Sequence, residues 1–262
     1  MVEKQLDNLM GSAHVQKFEE FRLLIRAWRA RLRDQKSELA ALRRHIKPGD
    51  IVCDVGANKG SYTYWLSRWA GSGRVVAFEP QPEFARMLVK NCAKLHMENV
   101  TVEQQAVCHT SGTMSLFIPV DHKPGASLSK PDVSHEVIEV KTTSLDGYFT
   151  SGQHISALKI DVEGAEFDVL RGAERILKQD RPLIVFECEQ RHLPKGSLVT
   201  DVFEFLVGLG YDGCFVCRGD LLPIADFDVS THQSQSGEWF WKEKGYCNNF
   251  VFWPKGVKGA MT

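Results

Sequence analysis

The sequence predicts an α/β fold, a largely parallel sheet with helices on both faces. Three observations predict it. From Ile51 onward, short apolar runs alternate with amphipathic stretches, the pattern of repeated β-α-β units. A glycine-bearing turn, Gly56-Ala57-Asn58-Lys59-Gly60, follows the first apolar run and opens a helical stretch. The next apolar run ends on an acidic residue, Glu79, as a strand edge facing a ligand would.

Before the sheet, residues 12–47 contain no glycine or proline, so a long helix is expected. Phe18, Phe21, Ile25, Trp28, Leu32, Leu39 and Leu42 fall at alternating three- and four-residue steps, with Gln35 filling one slot, which is a heptad-like stripe. Such a helix docks on its own domain, pairs with a second copy of the chain, or covers the substrate side. Glu19, Glu20, Asp34 and Glu38 weaken a membrane-surface role. Lys47-Pro48-Gly49-Asp50 stops the helix and divides a helical extension, 1–47, from an α/β domain, 48–262.

The strands and helices then follow in order. Ile51–Val55 is the first strand, Ser61–Trp69 a helix, Arg74–Phe78 the second strand, and Pro82–Leu95 a helix with Pro82 tolerated in its first turn. Val100–Val107 is the third strand, and Leu158–Ile160 with its flanks the fourth. Glu166–Leu177 is a helix, Leu183–Glu187 the fifth strand, and Asp201–Leu209 a helix ended by Gly210. Tyr211–Cys217 and Asn249–Trp253 are the last strands. Residues 112–146 interrupt the rhythm: Met114–Pro119 and Val137–Thr142 read as strands joined by the polar run at 121–135. That insertion is either a substrate cover or a plain surface hairpin.

Composition bounds the function. The 262 residues, 43% hydrophobic, suffice for one substantial core. A net charge of −1 argues against a dedicated nucleic-acid binder, which would need a basic surplus. The charge is uneven, +5 over residues 1–47 and −6 over the remainder. Seven irregularly spaced cysteines suit a reducing compartment, hence a cytoplasmic protein. Cys214 and Cys217, alone in a strand-like run, read as packing residues. No signal core and no long apolar run appear, so neither a secretion signal nor a membrane span is expected.

The strongest constellation runs from Asp54 to Gly60. Gly56 and Gly60 let the backbone turn sharply and approach a ligand closely. Their spacing matches neither G-x-G-x-x-G nor a P-loop. A carboxylate at Glu79 can accept both hydroxyl protons of a ribose, while Asp54 disfavours a phosphate and favours a cationic ligand. A ribose without a pyrophosphate, joined to an ammonium and a sulfonium, describes S-adenosylmethionine better than NAD.

The fourth and fifth strands end in further carboxylates, Asp161 and Glu163, then Glu187 and Glu189, which converge at the same sheet edge. Asp161 is placed against the cofactor. Glu163 or Glu187 is the preferred base for an acceptor hydroxyl, and His192 competes with a better intrinsic pKa. Such carboxylates suit Mg²⁺ or Mn²⁺, yet nothing in the spacing sets a coordination geometry, so no metal ligand is assigned. Glu166 reads as an acid at a helix start and Asp146 as the cap of the turn that follows it. Asn248 and Asn249 either line the pocket or open the last strand. Trp239 and Trp241 either stack on a sugar face or belong to a core or interface.

Four segments carry a family resemblance: DVGANKGSYT at 54–63, VVAFEPQP at 75–82, LKIDVEGAEFDVLRGA at 158–173 and NNFVFW at 248–253. Over about residues 48–254 the chain resembles FkbM-type methyltransferases. The first two segments are common to many class I methyltransferases, and the third is more specific. The resemblance implies a Rossmann-like sheet of seven strands with the last antiparallel, S-adenosylmethionine as cofactor, and O-methylation, often of sugar hydroxyls in natural products or glycans. It implies that Gly56, Asn58 and Gly60 line the methionine portion with Thr63 adding a contact, that Glu79 with Pro80 beside it holds the ribose, and that Gln105 and Ala106 border the adenine. A small-molecule or glycan acceptor is the expected partner. The extension at 1–47 lies outside the resemblance. Two other readings stand beside it: a binding module without catalysis that uses the N-terminal helix, and an NAD-dependent oxidoreductase, which the missing fingerprint glycine and Asp54 disfavour.

Overall fold

Over its described residues, 22–47, the expected long N-terminal helix is two helices. The computed structural model describes residues 22–120, 123–129, 133–237, 239–243 and 245–256. Phe18, Glu19, Glu20 and Phe21 lie outside the described residues, as do 121–122 and 130–132 of the insertion. Helix α1 (22–29) runs into a π-turn at Ala30–Asp34, and Gln35, at φ −134° and ψ 39°, breaks the chain before α2 (Lys36–His45). A π-turn carries an extra residue, which rotates the downstream face by about 100°. The heptad stripe therefore splits. Leu39 and Leu42 are buried, a gain of about 1.5–3 kcal/mol each, whereas Ile25, Trp28 and Leu32 are exposed. Leu23, Ala27 and Ala30 form the buried face of the first segment instead. Trp65 Nε1 donates to the Ala27 carbonyl at 2.7 Å and ties α1 to the domain.

The sheet begins with β1 (Ile51–Val55), α3 (Ser61–Ala70), β2 (Arg74–Phe78), α4 (Pro82–Lys94) and β3 (Val100–Glu103). The third strand ends earlier than the apolar run suggests, because Gln105 N–H turns back to the Glu103 carbonyl at 2.9 Å. The residues after it form β4 (Ala106–Val107), which joins a second sheet with β5 (Gly112–Pro119) and β6 (His135–Thr143) in the order β4-β6-β5. Next come α5 (Leu145–Tyr148), β7 (Ile155–Ile160), α6 (Glu166–Arg171), α7 (Glu174–Gln179), β8 (Leu183–Glu187) and α8 (Val199–Gly208). The chain closes with β9 (Tyr211–Cys217), β10 (Asp220–Pro223), α9 (Val229–His232) and β11 (Asn249–Pro254).

The main sheet has the order β10-β9-β11-β8-β7-β1-β2-β3. It has eight strands rather than seven. The added edge strand, β10, turns back on β9 through Arg218 and Gly219, both at positive φ, and pairs antiparallel from Cys217–Asp220 to Cys214–Pro223. Strand β11 runs antiparallel between β8 and β9, as the resemblance implies.

Alternation along the strands feeds two cores. Val52, Val75, Val185 and Val251 face Leu39, Leu42 and Leu66 from α2 and α3. Val55, Phe78, Ile160, Phe186 and Phe250 face the cluster built on α6, α7 and α8. The helix expected at 166–177 is interrupted where a Cβ on Gly172 would lie 2.3 Å from the Cys108 carbonyl, so the backbone there packs directly on the neighbouring loop. Asp146 caps the second half of that helix rather than its own turn, accepting from Arg175 N–H at 2.7 Å and Ile176 N–H at 3.0 Å. Ser144 caps α5, accepting from Gly147 N–H at 3.1 Å. No helix among the described residues is long and apolar enough to cross a membrane.

Candidate active site

Strand β1 delivers the glycine turn to the carboxyl edge of the sheet. Gly56, at φ +75°, sits so tightly on the end of β7 that a Cβ would lie 1.7 Å from the Asp161 carbonyl oxygen. Only glycine fits that contact. Gly56 and Ala57 N–H both donate to the Phe78 carbonyl, which fixes the turn against β2. Immediately after β2, Glu79 is buried and held by two backbone amides, Asn58 N–H at 2.7 Å and Gln81 N–H at 2.8 Å. Burial pushes its carboxyl up to about 7, against the pull of those amides. Two amides leave lone pairs on the carboxylate for a ligand.

Asp54 faces inward. It is fully buried, accepts from Thr63 Oγ1 at 2.6 Å, and lies 3.4 Å from the Lys159 ammonium. Lys159 also donates to the Gly56 carbonyl at 3.0 Å and reaches Asp161 at 3.5 Å. Burial pulls the Lys159 pKa down, but Asp161 and Asp54 outweigh it and the net direction is up. The charge of Asp54 is therefore met inside the protein, which corrects the idea that it faces a cationic ligand directly. The missed residue is Lys159, a lysine inside an apolar strand that the register sets beside Asp54.

The cavity above this edge, about 180 Å³, brings together Gly56, Asn58, Glu79, Gln105, Asp161 and Glu187. Pro80, Ala106 and Glu163 also border it. Gly60, Thr63, Asp54 and His192 do not. Gly60 serves packing, since a Cβ there would meet Leu88 at 2.5 Å. Four carboxylates, Glu79, Asp161, Glu163 and Glu187, stand on the wall, with no lysine or arginine among its described residues. Leu116, Ala126 and Leu128 of the insertion form the apolar roof. The insertion is hooked down by Ser127, whose hydroxyl donates to the Glu163 carbonyl at 2.6 Å.

At the other end, Glu163 occupies a turn at φ +54°. Glu166 fastens that turn by accepting from Gly164 N–H at 3.1 Å and Val162 N–H at 3.3 Å. The Glu163 carboxylate lies 3.0 Å from His192 Nδ1. Burial pulls the imidazole pKa down and the Glu163 carboxylate raises it, with a net shift upward. Burial, reinforced by Asp161 and Glu163, holds the Glu187 carboxyl well above the usual range. Asn248 Nδ2 donates to Glu187 at 2.7 Å, and Asn249 donates to Asn248 at 2.9 Å, so Asn248 belongs to the site and Asn249 supports it. Glu189 is taken up by Arg191 at 2.5 Å and Tyr246 at 2.6 Å. No group of three His, Cys, Asp or Glu arranged to hold a metal ion occurs among the described residues.

Glu163 and Glu187 also border a larger outer cavity, about 940 Å³, with His192, Arg191, Ser127 and Trp241 on its walls. Trp241 is 40% exposed there and Trp239 lies edge-on to it at 5.3 Å, so neither is a core residue. The Arg191 guanidinium stands 5.4 Å from the Trp241 ring centre.

Residues 54–212 match the methyltransferase FkbM domain. Hexuronic acid methyltransferase AglP of Haloferax volcanii is 31% identical over 162 residues, 60% of this chain and 64% of that protein. The 31-O-demethyl-FK506 methyltransferase FkbM of Streptomyces tacrolimicus is 28% identical over 201 residues, 63% of this chain and 74% of that protein. The chain thus spans less than two thirds of the length of AglP. Among solved structures, methyltransferase FkbM of Methylobacillus flagellatus KT shares the fold with a TM-score of 0.50 at 14% identity, over 78% of this chain and 44% of that one.

Proposed function

The chain belongs to the FkbM methyltransferase family, and on that premise we propose that it is an S-adenosylmethionine-dependent O-methyltransferase acting on a hydroxyl of a sugar or sugar-bearing acceptor. The observation that carries this reading is the shared wall: Glu163 and Glu187 border both the inner crevice and the outer cavity, and Glu163 holds His192. The crevice suits the cofactor, because four carboxylates without a facing lysine or arginine favour a cationic ligand over a pyrophosphate. Bound there, S-adenosylmethionine supplies a methyl group on a positively charged sulfur, open to in-line attack by an oxygen.

The residues divide the work. Glu79 accepts the ribose hydroxyls through the lone pairs that Asn58 and Gln81 leave free. Gln105, Ala106 and Pro80 would border the base and sugar, the Gly56–Asn58 backbone would meet the methionine portion, and Leu116 and Leu128 would exclude water from the crevice. Thr63 and Gly60 act one layer back, through Asp54 and Leu88. Asp161, tied to Lys159, walls the transfer point. His192 is the base. Glu163 accepts its Nδ1–H, which leaves Nε2 to take the acceptor proton and stabilises the imidazolium that results. Glu187, whose carboxyl burial holds well above the usual range, lines the same outer cavity and accepts from Asn248 Nδ2 at 2.7 Å.

The outer cavity supports a sugar acceptor: an aromatic face at Trp241 and polar groups at Ser127, Arg191 and Asn248 suit a polyhydroxylated ring. The similarity to a hexuronic acid methyltransferase supports the same class. The test is release of S-adenosylhomocysteine with a panel of glycosides and uronic acids against phenols and nucleic acid. Turnover confined to the sugars, and lost in His192→Asn, supports the proposal. Turnover only with the other acceptors defeats the sugar assignment, and cofactor binding without any turnover favours a binding module.

A further inference from the structure

A second cavity, about 400 Å³, is lined by α1, the π-turn and the glycine turn. The two cavities share Gly56, Asn58 and Asp161. Its wall is basic where the crevice is acidic: Arg26 and Arg29 come from α1 and Lys59 from the turn. The acids nearby are already engaged. Asp34 takes Arg29 at 3.0 Å and Arg33 at 2.6 Å, and Asp161 takes Lys159. Arg26 differs, because its Nε is buried and has no hydrogen-bond partner among the described residues. An unpaired donor on a half-buried guanidinium is costly unless a ligand meets it. Burial, with Arg22 close by, pulls the Arg26 pKa down, and burial with Arg26 and Arg22 does the same to Lys59, with Glu83 opposing. Arg26 and Lys59 are thus like charges that disfavour each other across this wall, and an anion between them would relieve the repulsion.

The cofactor reading gives that space an occupant. With adenosine at Glu79 and Gln105 and the methyl toward Glu163 and Glu187, the amino-acid arm would run along Gly56 and Asn58, which border both cavities. That arm ends in an α-carboxylate. We propose that Arg26 and Lys59 bind the α-carboxylate of the cofactor's amino-acid arm, so that α1, which precedes the family match at residue 54, completes the cofactor site. The proposal rests on the cofactor assignment above. It also accounts for the opposite charge of the two cavities: the acidic wall receives the ammonium and sulfonium, and the basic wall receives the carboxylate. The basic surplus of the N-terminal extension then has a local use.

The test compares two nucleosides by titration calorimetry on the full chain: S-adenosylhomocysteine, and methylthioadenosine, which lacks the amino-acid arm. Arg26→Gln and Lys59→Gln are each expected to weaken S-adenosylhomocysteine about 10-fold or more, the scale of a charge-assisted hydrogen bond, and to leave methylthioadenosine unchanged. Arg26→Lys should recover part of the loss, which a purely structural role would not produce. Glu79→Ala should weaken both ligands. Equal weakening of both nucleosides by Arg26→Gln, or no effect on either, overturns the proposal. Unchanged S-adenosylhomocysteine affinity with a raised KM for an acidic acceptor also overturns it and gives the basic cavity to the acceptor. A wild-type chain that binds neither nucleoside defeats the cofactor assignment, and the carboxylate site with it.

Discussion

Replacing Glu166 separates the placement of the Glu163 turn from the charge that places it. Its side chain is 1% exposed and accepts from the amides of Val162 and Gly164, which flank Glu163. Burial pushes its carboxyl up to about 7, opposed by the amides of Gly164 and of Glu166 itself. Against the ordinary glutamate value of 4.5, a rise to about 7 corresponds to about 3 kcal/mol. As pH rises the unfolded chain loses this proton first, so the term erodes stability between about pH 4.5 and 7 and is constant above. Glu166→Gln keeps an oxygen for both amides and cannot ionise. It should match wild type to within about 1 kcal/mol at pH 5, exceed it by up to about 3 kcal/mol at pH 8, and retain methyl transfer. Glu166→Ala strands both amides, at about 1–3 kcal/mol each, and releases the turn that carries Glu163, so activity should fall with stability. Urea unfolding at the two pH values, with turnover assayed in parallel, reads both effects. A Gln-minus-wild-type difference that does not change with pH, or a less stable Gln variant at pH 8, refutes the reasoning.

Other substitutions probe other parts of the account. His192→Asn should lower kcat by about 10²–10⁴-fold with little change in cofactor affinity, measured by steady-state kinetics and titration. Because Glu163 raises the His192 pKa, Glu163→Gln should move the acidic limb of kcat/KM to lower pH while reducing the rate; an unmoved limb would exclude His192 as the titrating base. Lys159→Met leaves Asp54 and Asp161 buried without their cation and should destabilise the fold by about 3–5 kcal/mol in chemical denaturation. Ser127→Ala frees the insertion from Glu163 and should raise the acceptor KM more than it lowers kcat, with wild-type kinetics counting against a covering role.

The parts of the fold legible in the sequence are those set by local chemistry. Ile51–Val55, Arg74–Phe78 and Leu183–Glu187 are strands with the predicted ends, because each is an apolar run closed by a turn residue or an acid. The glycine turn and Glu79 share one cavity, since consecutive parallel strands deliver their carboxyl ends to the same edge. What stayed hidden depends on distant neighbours. Lys159 becomes the partner of Asp54 only through the β1–β7 register. The need for glycine at 172, where the helix breaks, comes from the Cys108 carbonyl packed against it. The heptad stripe is continuous in sequence, but the π-turn at Ala30–Asp34 changes its phase, so of its described apolar members only Leu39 and Leu42 reach the core. The outer edge strand β10 depends on an Arg-Gly turn, a weaker hairpin signal than Asn-Gly. The roof residues Leu116, Ala126 and Leu128 come from the insertion, whose strand pairing set them over a cavity that only the folded chain creates.

The cofactor assignment bears most of the weight, and one titration tests it. Purified chain is titrated with S-adenosylmethionine and, separately, with NAD, using wild type and Glu79→Ala. The account predicts binding of S-adenosylmethionine alone, weakened about 10-fold or more by the substitution through loss of the ribose contacts. Binding of NAD in preference, or S-adenosylmethionine affinity indifferent to Glu79, would contradict it.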